Sequence, residues 1–299
     1  MPLIYVIILT WNQYHHTKSC LTSLQKTTYP NLQIVVVDNN STDGTPEKVN
    51  QDFPTATLLT NDENLGFAAG NNIGIRYALE NDAAYIFILN NDTLVASSLF
   101  ERLLAAISQR PDGTVHSSVG MIAPLIYYAD EPQRIWSSGG KRHFVTYEKT
   151  GDLAGQIDRG QYAKPVSQDY FTGCAMLLSC RLLKSVGLFD ERFFFTYEDS
   201  DLCVRARDAG YQLLLAPDAH IWHKVSVSTG GSGSPTERYW MARSSILFFA
   251  KHIRGWRWLF VIPFRLGSAI LISIRLVSQS KFSSLGPYWR GLHDGIRQL

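Results

Sequence analysis

The 299-residue sequence contains little cysteine, and no two of its four thiols form a CxxC pair: Cys20, Cys174, Cys180 and Cys203. Four such thiols in a chain of this length exclude a disulfide-stapled scaffold. We therefore expect reduced cysteines in a cytosolic setting, where they serve as small apolar core side chains.

The amino terminus lacks the features of a secretory signal. No basic residue precedes the short apolar run Leu3–Leu9, and no small-residue cleavage site follows it. We interpret this run as a first β-strand, and we expect the protein in the cytoplasm.

Charged residues make up only 18% of the chain and hydrophobic residues 45%, which excludes an intrinsically disordered protein. The net charge of +2 hides an asymmetry, because from Glu237 onwards ten basic residues stand against two acidic ones. That tail carries +8 and the preceding 236 residues carry −6. A basic tail indicates an anionic surface as its partner. The acidic body and the lack of a recognised motif argue against nucleic acid.

Apolar runs alternate with helical patterns over the first hundred residues. Leu3–Leu9, Leu32–Val37 and Ala84–Leu89 are apolar on both faces, as parallel strands covered by helices must be. Thr17–Lys26 and Ala68–Glu80 have helical character. This alternation predicts right-handed βαβ units in an open α/β sheet.

The second half of the chain is less regular. Residues 130–165 indicate loops and short antiparallel strands over one edge of the sheet. They are followed by a strand at Gly173–Ser179, a helix at Asp199–Ala209 and a strand at Tyr211–Ala216 that the next proline ends. After the flexible glycine- and serine-rich run at 230–235, we expect a helical tail.

The first strand is not followed by GxxxxGK[ST] or GxGxxG, which argues against a P-loop ATPase and a dinucleotide enzyme. Instead, polar clusters end three strands: Thr10-Trp11-Asn12, Asp38-Asn39-Asn40-Ser41 and Asn90-Asn91-Asp92-Thr93. Turns and helix caps explain any one of them, but three together favour a ligand site at the carboxyl edge of the sheet. A strand-end carboxylate suits a divalent cation that bridges diphosphate oxygens, and Asp92 is the candidate.

Five motifs in consistent order resemble the inverting, GT-A-fold family-2 glycosyltransferases, and most of all their rhamnosyltransferase-type group of cell-envelope polysaccharide synthesis. The motifs are Thr10-Trp11-Asn12, Asp38-Asn39-Asn40-Ser41-Thr42-Asp43-Gly44, Asn64-Leu65-Gly66-Phe67-Ala68-Ala69-Gly70-Asn71, Asn90-Asn91-Asp92 and Tyr197-Glu198-Asp199-Ser200-Asp201-Leu202. The resemblance implies an α/β, Rossmann-like GT-A domain with a mostly parallel central sheet over residues 1–230. Its nucleotide-binding half would end near residue 125 and its acceptor-binding half would follow. A C-terminal amphipathic helical region would occupy residues 236–299.

The resemblance also implies the site residues. The nucleotide-sugar would be bound by Thr10, Asn12, Asp38, Asn40, Asn64, Gly66 and Asn91, with Asp38 accepting hydrogen bonds from the base. Asp92 would stand where the family's DxD motif ends and, with the late His223, hold Mn²⁺ or Mg²⁺ on the diphosphate. This chain reads Asn90-Asn91-Asp92 there, so it keeps one carboxylate of the motif.

Three acids, Glu198, Asp199 and Asp201, lie at the start of a predicted helix. The helix dipole favours acids there without any further function. Sugar transfer to a hydroxyl, however, requires a base, and a carboxylate opposite the leaving group can serve in a single inverting displacement. The resemblance places this base at Asp199, with Glu198 orienting the acceptor and Asp201 supporting the turn.

The tail carries a basic stripe between Arg254 and Arg275 with aromatic and aliphatic residues on its other faces. Pro263 and Arg265 interrupt the apolar run, so we expect no stretch of the ~20 apolar residues that spans a bilayer. Such a tail is predicted to lie peripherally on the anionic inner face of the cytoplasmic membrane. Helices packed on the catalytic domain, with their arginines pointing outward, are the alternative.

Together, the residues and the resemblance predict a metal-dependent inverting glycosyltransferase. It would move a sugar, with rhamnose favoured, from a nucleotide-diphosphate donor to a hydroxyl of a lipid-linked or polysaccharide acceptor. A nucleotidyltransferase would share the fold and the metal, but the basic glycine-rich loop it needs after the first strand is missing. A non-catalytic nucleotide-sugar-binding scaffold at the membrane is the second alternative, and it predicts no donor hydrolysis.

Overall fold

The computed structural model describes residues 1–108, 119–225 and 233–299. Its strands are β1 Ile4–Thr10, β2 Leu32–Asp38, β3 Thr57–Thr60, β4 Tyr85–Asn90, β5 Thr93–Val95, β6 Val119–Tyr128, β7 Ile135–Ser137, β8 Lys141–Arg142, β9 Lys149–Thr150, β10 Val166–Gln168, β11 Ala175–Ser179 and β12 Gln212–His223. Its helices are α1 Tyr14–Leu24, α2 Thr45–Asp52, α3 Gly66–Glu80, α4 Leu99–Ser108, α5 Cys180–Val186, α6 Glu198–Asp208, α7 Pro235–His252, α8 Trp258–Ser278 and α9 Leu285–Arg297.

Within the described ranges, ten strands form one sheet in the order β10-β12-β6-β11-β4-β1-β2-β3, with β5 beside β12 and β7 beside β6. The strands β4, β1, β2 and β3 are parallel to their neighbours in this series, whereas β11 runs antiparallel to both β4 and β6. The predicted α/β fold with a mostly parallel central sheet is confirmed. Strands β8 and β9 form a separate two-stranded hairpin.

Strand β1 is apolar from Ile4 to Leu9 because both faces of the sheet are covered there. Along β1, Ile4, Val6 and Ile8 lie in one core, which α1 and α4 complete. Tyr5 and Ile7 lie in the other, which α3, α5 and α6 complete. Successive side chains of a strand point to opposite faces, so a strand buried on both faces cannot show a polar alternation.

The strand predicted to end before Pro217 is longer than expected. β12 runs from Gln212 to His223 and pairs with β6 on both sides of a register shift between Ala216 and His220. The irregularity accommodates the proline, which has no N–H for the ladder. The prediction was therefore wrong at this point, and the extension carries His223 to the edge of the candidate site. The glycine- and serine-rich run predicted at 230–235 falls partly outside the described residues.

All four cysteines are buried with free thiols. Burial raises the pKa of Cys20 to about 12, so this thiol is protonated at neutral pH. The expectation of reduced, core-forming cysteines agrees with this placement.

Helix α7 packs directly on the α/β domain. Phe248 lies in a core cluster with Phe193 and with Val204 of α6. Asp201 of α6 is fully buried, and its Oδ1 lies 2.7 Å from both Nζ of Lys251 and Nε2 of His252 at the end of α7. The predicted tail is thus joined to the domain at its first helix by apolar contacts and buried ion pairs.

Helix α8 is continuous over 21 residues with Pro263 inside it. The expectation that no stretch here is long and apolar enough to span a bilayer was wrong: the helix continues past Pro263 in its second turn, and the segment stays apolar enough despite Arg265. By length and composition, 255–278 could cross a membrane, and few of its residues are buried. Leu259 and Leu271 are 75% and 68% exposed, so α8 presents a large apolar face to its surroundings.

Candidate active site

A cavity of about 490 Å³ opens beyond the carboxyl ends of β4 and β12. Among the residues that line it are four that the sequence predicts in the site, namely Asp92, Glu198, Asp199 and His223. They come from distant parts of the chain, since Asp92 follows β4, His223 ends β12, and the two acids begin α6. The fold therefore brings the predicted catalytic and metal-binding residues together.

Asp92 and His223 lie side by side because β5 pairs with the end of β12, where Thr93 is the register partner of His223. Nε2 of the imidazole is 3.0 Å from Oδ1 of the carboxylate. Both side chains are buried, and apart from this contact with His223 Asp92 Oδ1 has no partner in the described part of the chain. The ring of Trp136 packs edge-on against the imidazole, with 4.3 Å between the ring centroids.

This pair fits a divalent cation. Two neighbouring ligands at about 2.1 Å from an octahedral ion are about 3.0 Å apart, which is the separation of Asp92 Oδ1 and His223 Nε2. Across residues 1–108, 119–225 and 233–299, no group of three His, Cys, Asp or Glu side chains could hold a metal. An ion bound here would therefore take its other ligands from the substrate and water, as a diphosphate-bridging Mg²⁺ or Mn²⁺ does.

The carboxylate of Asp199 is fixed by several donors. Its Oδ2 accepts hydrogen bonds from the Gly173 N–H at 3.0 Å and from the Tyr170 hydroxyl at 3.2 Å. Its Oδ1 accepts from the Ser200 hydroxyl at 3.0 Å. The residue is 8% exposed and lines the cavity, so an oriented carboxylate faces the space where an acceptor would bind.

Glu198 has a different environment from its neighbour. It is 5% exposed, and its Oε2 has no hydrogen-bond partner among the described residues. Burial, and next the charge of Asp199, raise the pKa of Glu198 well above its usual value. A carboxyl group with a raised pKa retains its proton to higher pH than an ordinary glutamate does. Glu198 is the group that keeps its proton.

Glu198→Gln is expected to stabilise the protein against unfolding, increasingly so as the pH rises above about 4.5. In that range the unfolded state has lost the Glu198 proton while the folded state retains it, so the stability of the wild type falls with pH. Glutamine has no proton to lose. The difference in the free energy of unfolding between the variant and the wild type therefore grows by at most about 1.4 kcal/mol per pH unit. Urea unfolding of both proteins without ligands at pH 5, 6, 7 and 8 measures it. A constant difference would contradict the raised pKa.

Asp38 presents a free acceptor at the end of β2. Its Oδ1 accepts the backbone N–H of Ser41 at 2.8 Å, while its buried Oδ2 has no partner among the described residues. Next to it, Asn12 and Asn40 adopt left-handed backbone conformations with φ of 58° and 65°, and Asn12 Oδ1 accepts the Thr42 N–H at 2.9 Å. An unpaired carboxylate oxygen is the feature that the predicted contact with a nucleotide base needs.

Other residues predicted to bind the nucleotide hold the strand ends in place. The Asn91 side-chain amide donates to the buried hydroxyls of Thr10 and Thr17, and Asn64 Oδ1 accepts from the Gly66 N–H at 3.0 Å. The seven residues predicted around the nucleotide are not among those that line the 490 Å³ cavity. Their contact with a nucleotide stays a prediction.

Several side chains of the cavity were not found by sequence reasoning. They include Trp136, Arg142, Lys149, Tyr170 and Gly173. Four lie in or just after the irregular segment 130–165 and none belongs to a spaced motif. The excess of aromatic and charged residues in that segment was the one signal available, and it does not specify which of them face a ligand.

The strand-end pair Asp92 and His223 and the two acids at the start of α6 line one cavity of an α/β sheet, an arrangement that suits a transferase. The chain belongs to glycosyl transferase family 2, whose sequence profile matches residues 5–179. The sequence resemblance is thereby confirmed.

Relatives support a finer placement in this family. The chain is 26% identical to the N-acetylglucosaminyl-diphospho-decaprenol L-rhamnosyltransferase of Mycobacterium tuberculosis over 278 residues, covering 84% of this chain and 85% of that protein. It is 24% identical to the dTDP-rhamnosyl transferase RfbF of Shigella flexneri, over 83% and 80% of the two chains. The mannosyltransferase PcManGT of Pyrobaculum calidifontis, solved with GDP-Man and Mn²⁺, shares the fold. It has a TM-score of 0.58 and 20% identity over 99% of this chain and 84% of that one.

Proposed function

We propose that this glycosyltransferase is an inverting, metal-dependent rhamnosyltransferase. Its donor would be a nucleotide-diphosphate rhamnose, with dTDP-rhamnose the first choice, and its acceptor a hydroxyl of a lipid-linked glycan precursor. The observation that carries the proposal is one cavity lined by both an oriented carboxylate, Asp199, and a pair of cation ligands, Asp92 and His223. The names of the two rhamnosyltransferase relatives support the sugar and the lipid-linked acceptor.

Each residue has a separate task in this mechanism. Asp199 takes the proton of the acceptor hydroxyl as its oxygen attacks the anomeric carbon, and the bond to the diphosphate breaks on the opposite side. Tyr170 and Gly173 hold the carboxylate in line. Asp92 and His223 would hold a Mn²⁺ or Mg²⁺ ion, which supplies stabilisation of the negative charge on the departing diphosphate. Protonated Glu198 can donate a hydrogen bond to an acceptor oxygen.

A donor screen tests the proposed activity. Purified protein is incubated with Mn²⁺ and dTDP-rhamnose, UDP-sugars or GDP-sugars, with and without an N-acetylglucosaminyl-diphospho-lipid acceptor, and nucleoside diphosphate release is measured. We expect the largest release with dTDP-rhamnose together with the acceptor. Nucleoside diphosphate release from a UDP-sugar or GDP-sugar, with none from dTDP-rhamnose, would overturn the choice of sugar. No release from any donor would favour the binding scaffold.

We also propose that the tail rests on the anionic cytoplasmic face of the membrane. Large apolar side chains along α8 are exposed, and the segment from Glu237 carries a net charge of +8. Apolar side chains beside basic ones suit the interface between headgroups and acyl chains. Since α7 is packed on the domain, removing the whole tail would uncover the core, and single substitutions in α8 are the better test.

Leu271→Asp is expected to weaken binding to anionic vesicles about tenfold or more, because a buried leucine contributes about 1.5–3 kcal/mol. Sedimentation with phosphatidylglycerol-containing and neutral liposomes at low and high salt measures it. Ser278→Asp, seven residues along the same helix, adds the same charge without removing apolar surface and should retain most of the binding. If the wild type pellets with neither kind of vesicle, the membrane proposal fails.

A further inference from the structure

Two basic residues of the β8–β9 hairpin face each other over the cavity. Arg142 of β8 is the register partner of Lys149 of β9, and both side chains line the 490 Å³ cavity. Like charges placed directly opposite each other in an antiparallel pair are destabilising. Such an arrangement needs a compensating negative charge.

The described part of the protein does not provide that charge through a salt bridge. Neither Arg142 nor Lys149 forms an ion pair with a carboxylate among residues 1–108, 119–225 and 233–299. Nη1 of Arg142 donates to the Tyr147 carbonyl at 3.1 Å, whereas its buried Nε and Nη2 have no described acceptor. Buried guanidinium donors without partners are unfavourable, and a phosphate oxygen is an acceptor that matches their fork geometry.

Aromatic rings keep both cations in position. The guanidinium carbon of Arg142 lies 5.1 Å from the ring centroids of Tyr170 and Phe248, and Nζ of Lys149 lies 3.5 Å from the centroid of Tyr170. Cation–π contacts of this kind orient a cation without using its N–H groups. Nε and Nη2 of Arg142 and the ammonium group of Lys149 are therefore available to a ligand.

The position of Tyr170 indicates whether the donor or the acceptor supplies the anion that Arg142 and Lys149 bind. Its ring supports Lys149, while its hydroxyl donates to Oδ2 of Asp199. In a single inverting displacement the base lies on the acceptor side, opposite the departing diphosphate. The cation pair is thus on the side of the acceptor. The carboxylates of Glu148, Asp199 and Glu237 line the same cavity and disfavour a nonspecific anion, so a ligand must also match the fixed donors.

We propose that Arg142 and Lys149 form a subsite for a phosphate group of the acceptor, which makes the acceptor a glycosyl phosphate or diphosphate carried on a lipid. This inference rests on the proposed function, since it uses Asp199 to define the acceptor side. The hairpin also contacts the start of the apolar tail. The guanidinium carbon of Arg257 lies 4.3 Å from the ring centroid of Phe144, and its Nη1 donates to the Tyr147 hydroxyl at 3.3 Å.

Binding of octyl diphosphate, measured by calorimetry in EDTA without donor, tests the subsite. We expect Arg142→Gln and Lys149→Gln each to weaken binding at least about tenfold, because each removes charge-assisted hydrogen bonds. Lys149→Arg keeps the positive charge and should retain most of the wild-type affinity for octyl diphosphate. Lys141→Gln is the matched control, since it makes the same charge change in the same hairpin at a residue that Asp169 already pairs, and it should stay within about twofold of the wild type.

Two further probes each carry one part of octyl diphosphate: inorganic pyrophosphate has the phosphates without the alkyl chain, and octyl glucoside has the alkyl chain without the phosphates. We expect weaker binding of pyrophosphate than of octyl diphosphate, and no effect of the Arg142 and Lys149 substitutions on octyl glucoside. Unchanged octyl diphosphate binding in a folded Lys149→Gln protein would overturn the subsite, and equal affinity for pyrophosphate would overturn its assignment to a lipid-linked acceptor. The measurement needs no sugar donor, so a failed donor screen and a failed subsite give different results.

Discussion

Asp199→Asn is expected to lower the turnover of sugar transfer at least about a hundredfold, in line with the loss of a general base. Asparagine has nearly the same shape, and its amide oxygen can still accept from Gly173 or Tyr170, so the fold and the cavity should be preserved. What disappears is the negative charge that accepts the proton of the acceptor hydroxyl. Nucleoside diphosphate affinity should change little, because the carboxylate faces the acceptor rather than the donor.

Steady-state transfer rates with saturating donor and acceptor, together with calorimetric nucleotide binding, measure this effect. Ser200→Ala is a suitable control, because it removes one hydrogen bond to Asp199 but leaves the charge, and it should cost far less. Near-normal transfer by the asparagine variant would show that Asp199 is not the base, and Glu198 would then have to act in its ionised form, against its raised pKa. Asp201 is not a substitute, since it is fully buried and pairs with Arg205, Lys251 and His252.

Asp92→Ala and His223→Ala are each expected to weaken Mn²⁺-dependent binding of nucleoside diphosphate at least about tenfold. Loss of a residue that only hydrogen-bonds a metal ligand already lowers metal affinity or activity about 10–100-fold. Asp92 and His223 are the proposed ligands themselves, so their loss should cost at least as much. The double variant should bind nucleoside diphosphate in Mn²⁺ only slightly less tightly than the single variant with the lower affinity, because both substitutions act through the same ion. In EDTA, all three variants and the wild type should bind the nucleotide similarly.

Calorimetric titration with and without Mn²⁺ distinguishes a metal ligand from a packing residue. His220→Ala is the matched control, because His220 lies on the same strand but its Nε2 contacts the Pro217 carbonyl at 2.8 Å. It should leave Mn²⁺-dependent binding unchanged. If His223→Ala also binds metal and nucleotide normally, His223 is a packing partner of Trp136, and Asp92 alone would hold the ion.

Local sequence patterns were enough to predict several parts of the protein. Runs that are apolar on both faces require cover on both sides, so Leu32–Val37 and Ala84–Leu89 indicated buried parallel strands without any tertiary information. Polar residues at the ends of those runs must then meet at one edge of the sheet. Asp92 was predicted in the site on this basis. The motif resemblance added Asp199 and Glu198, which the cavity brings together with Asp92.

Long-range packing decided the rest. β12 continues past Pro217 because β6 and β5 offer it partners that no local pattern reveals, and this pairing places His223 beside Asp92. Arg142 and Lys149 look like ordinary surface charges in an irregular segment until the hairpin sets them opposite each other over Tyr170. Propensity and periodicity act over a few residues, whereas the contacts that define these positions join residues far apart in the chain, and tertiary context overrides the local signal.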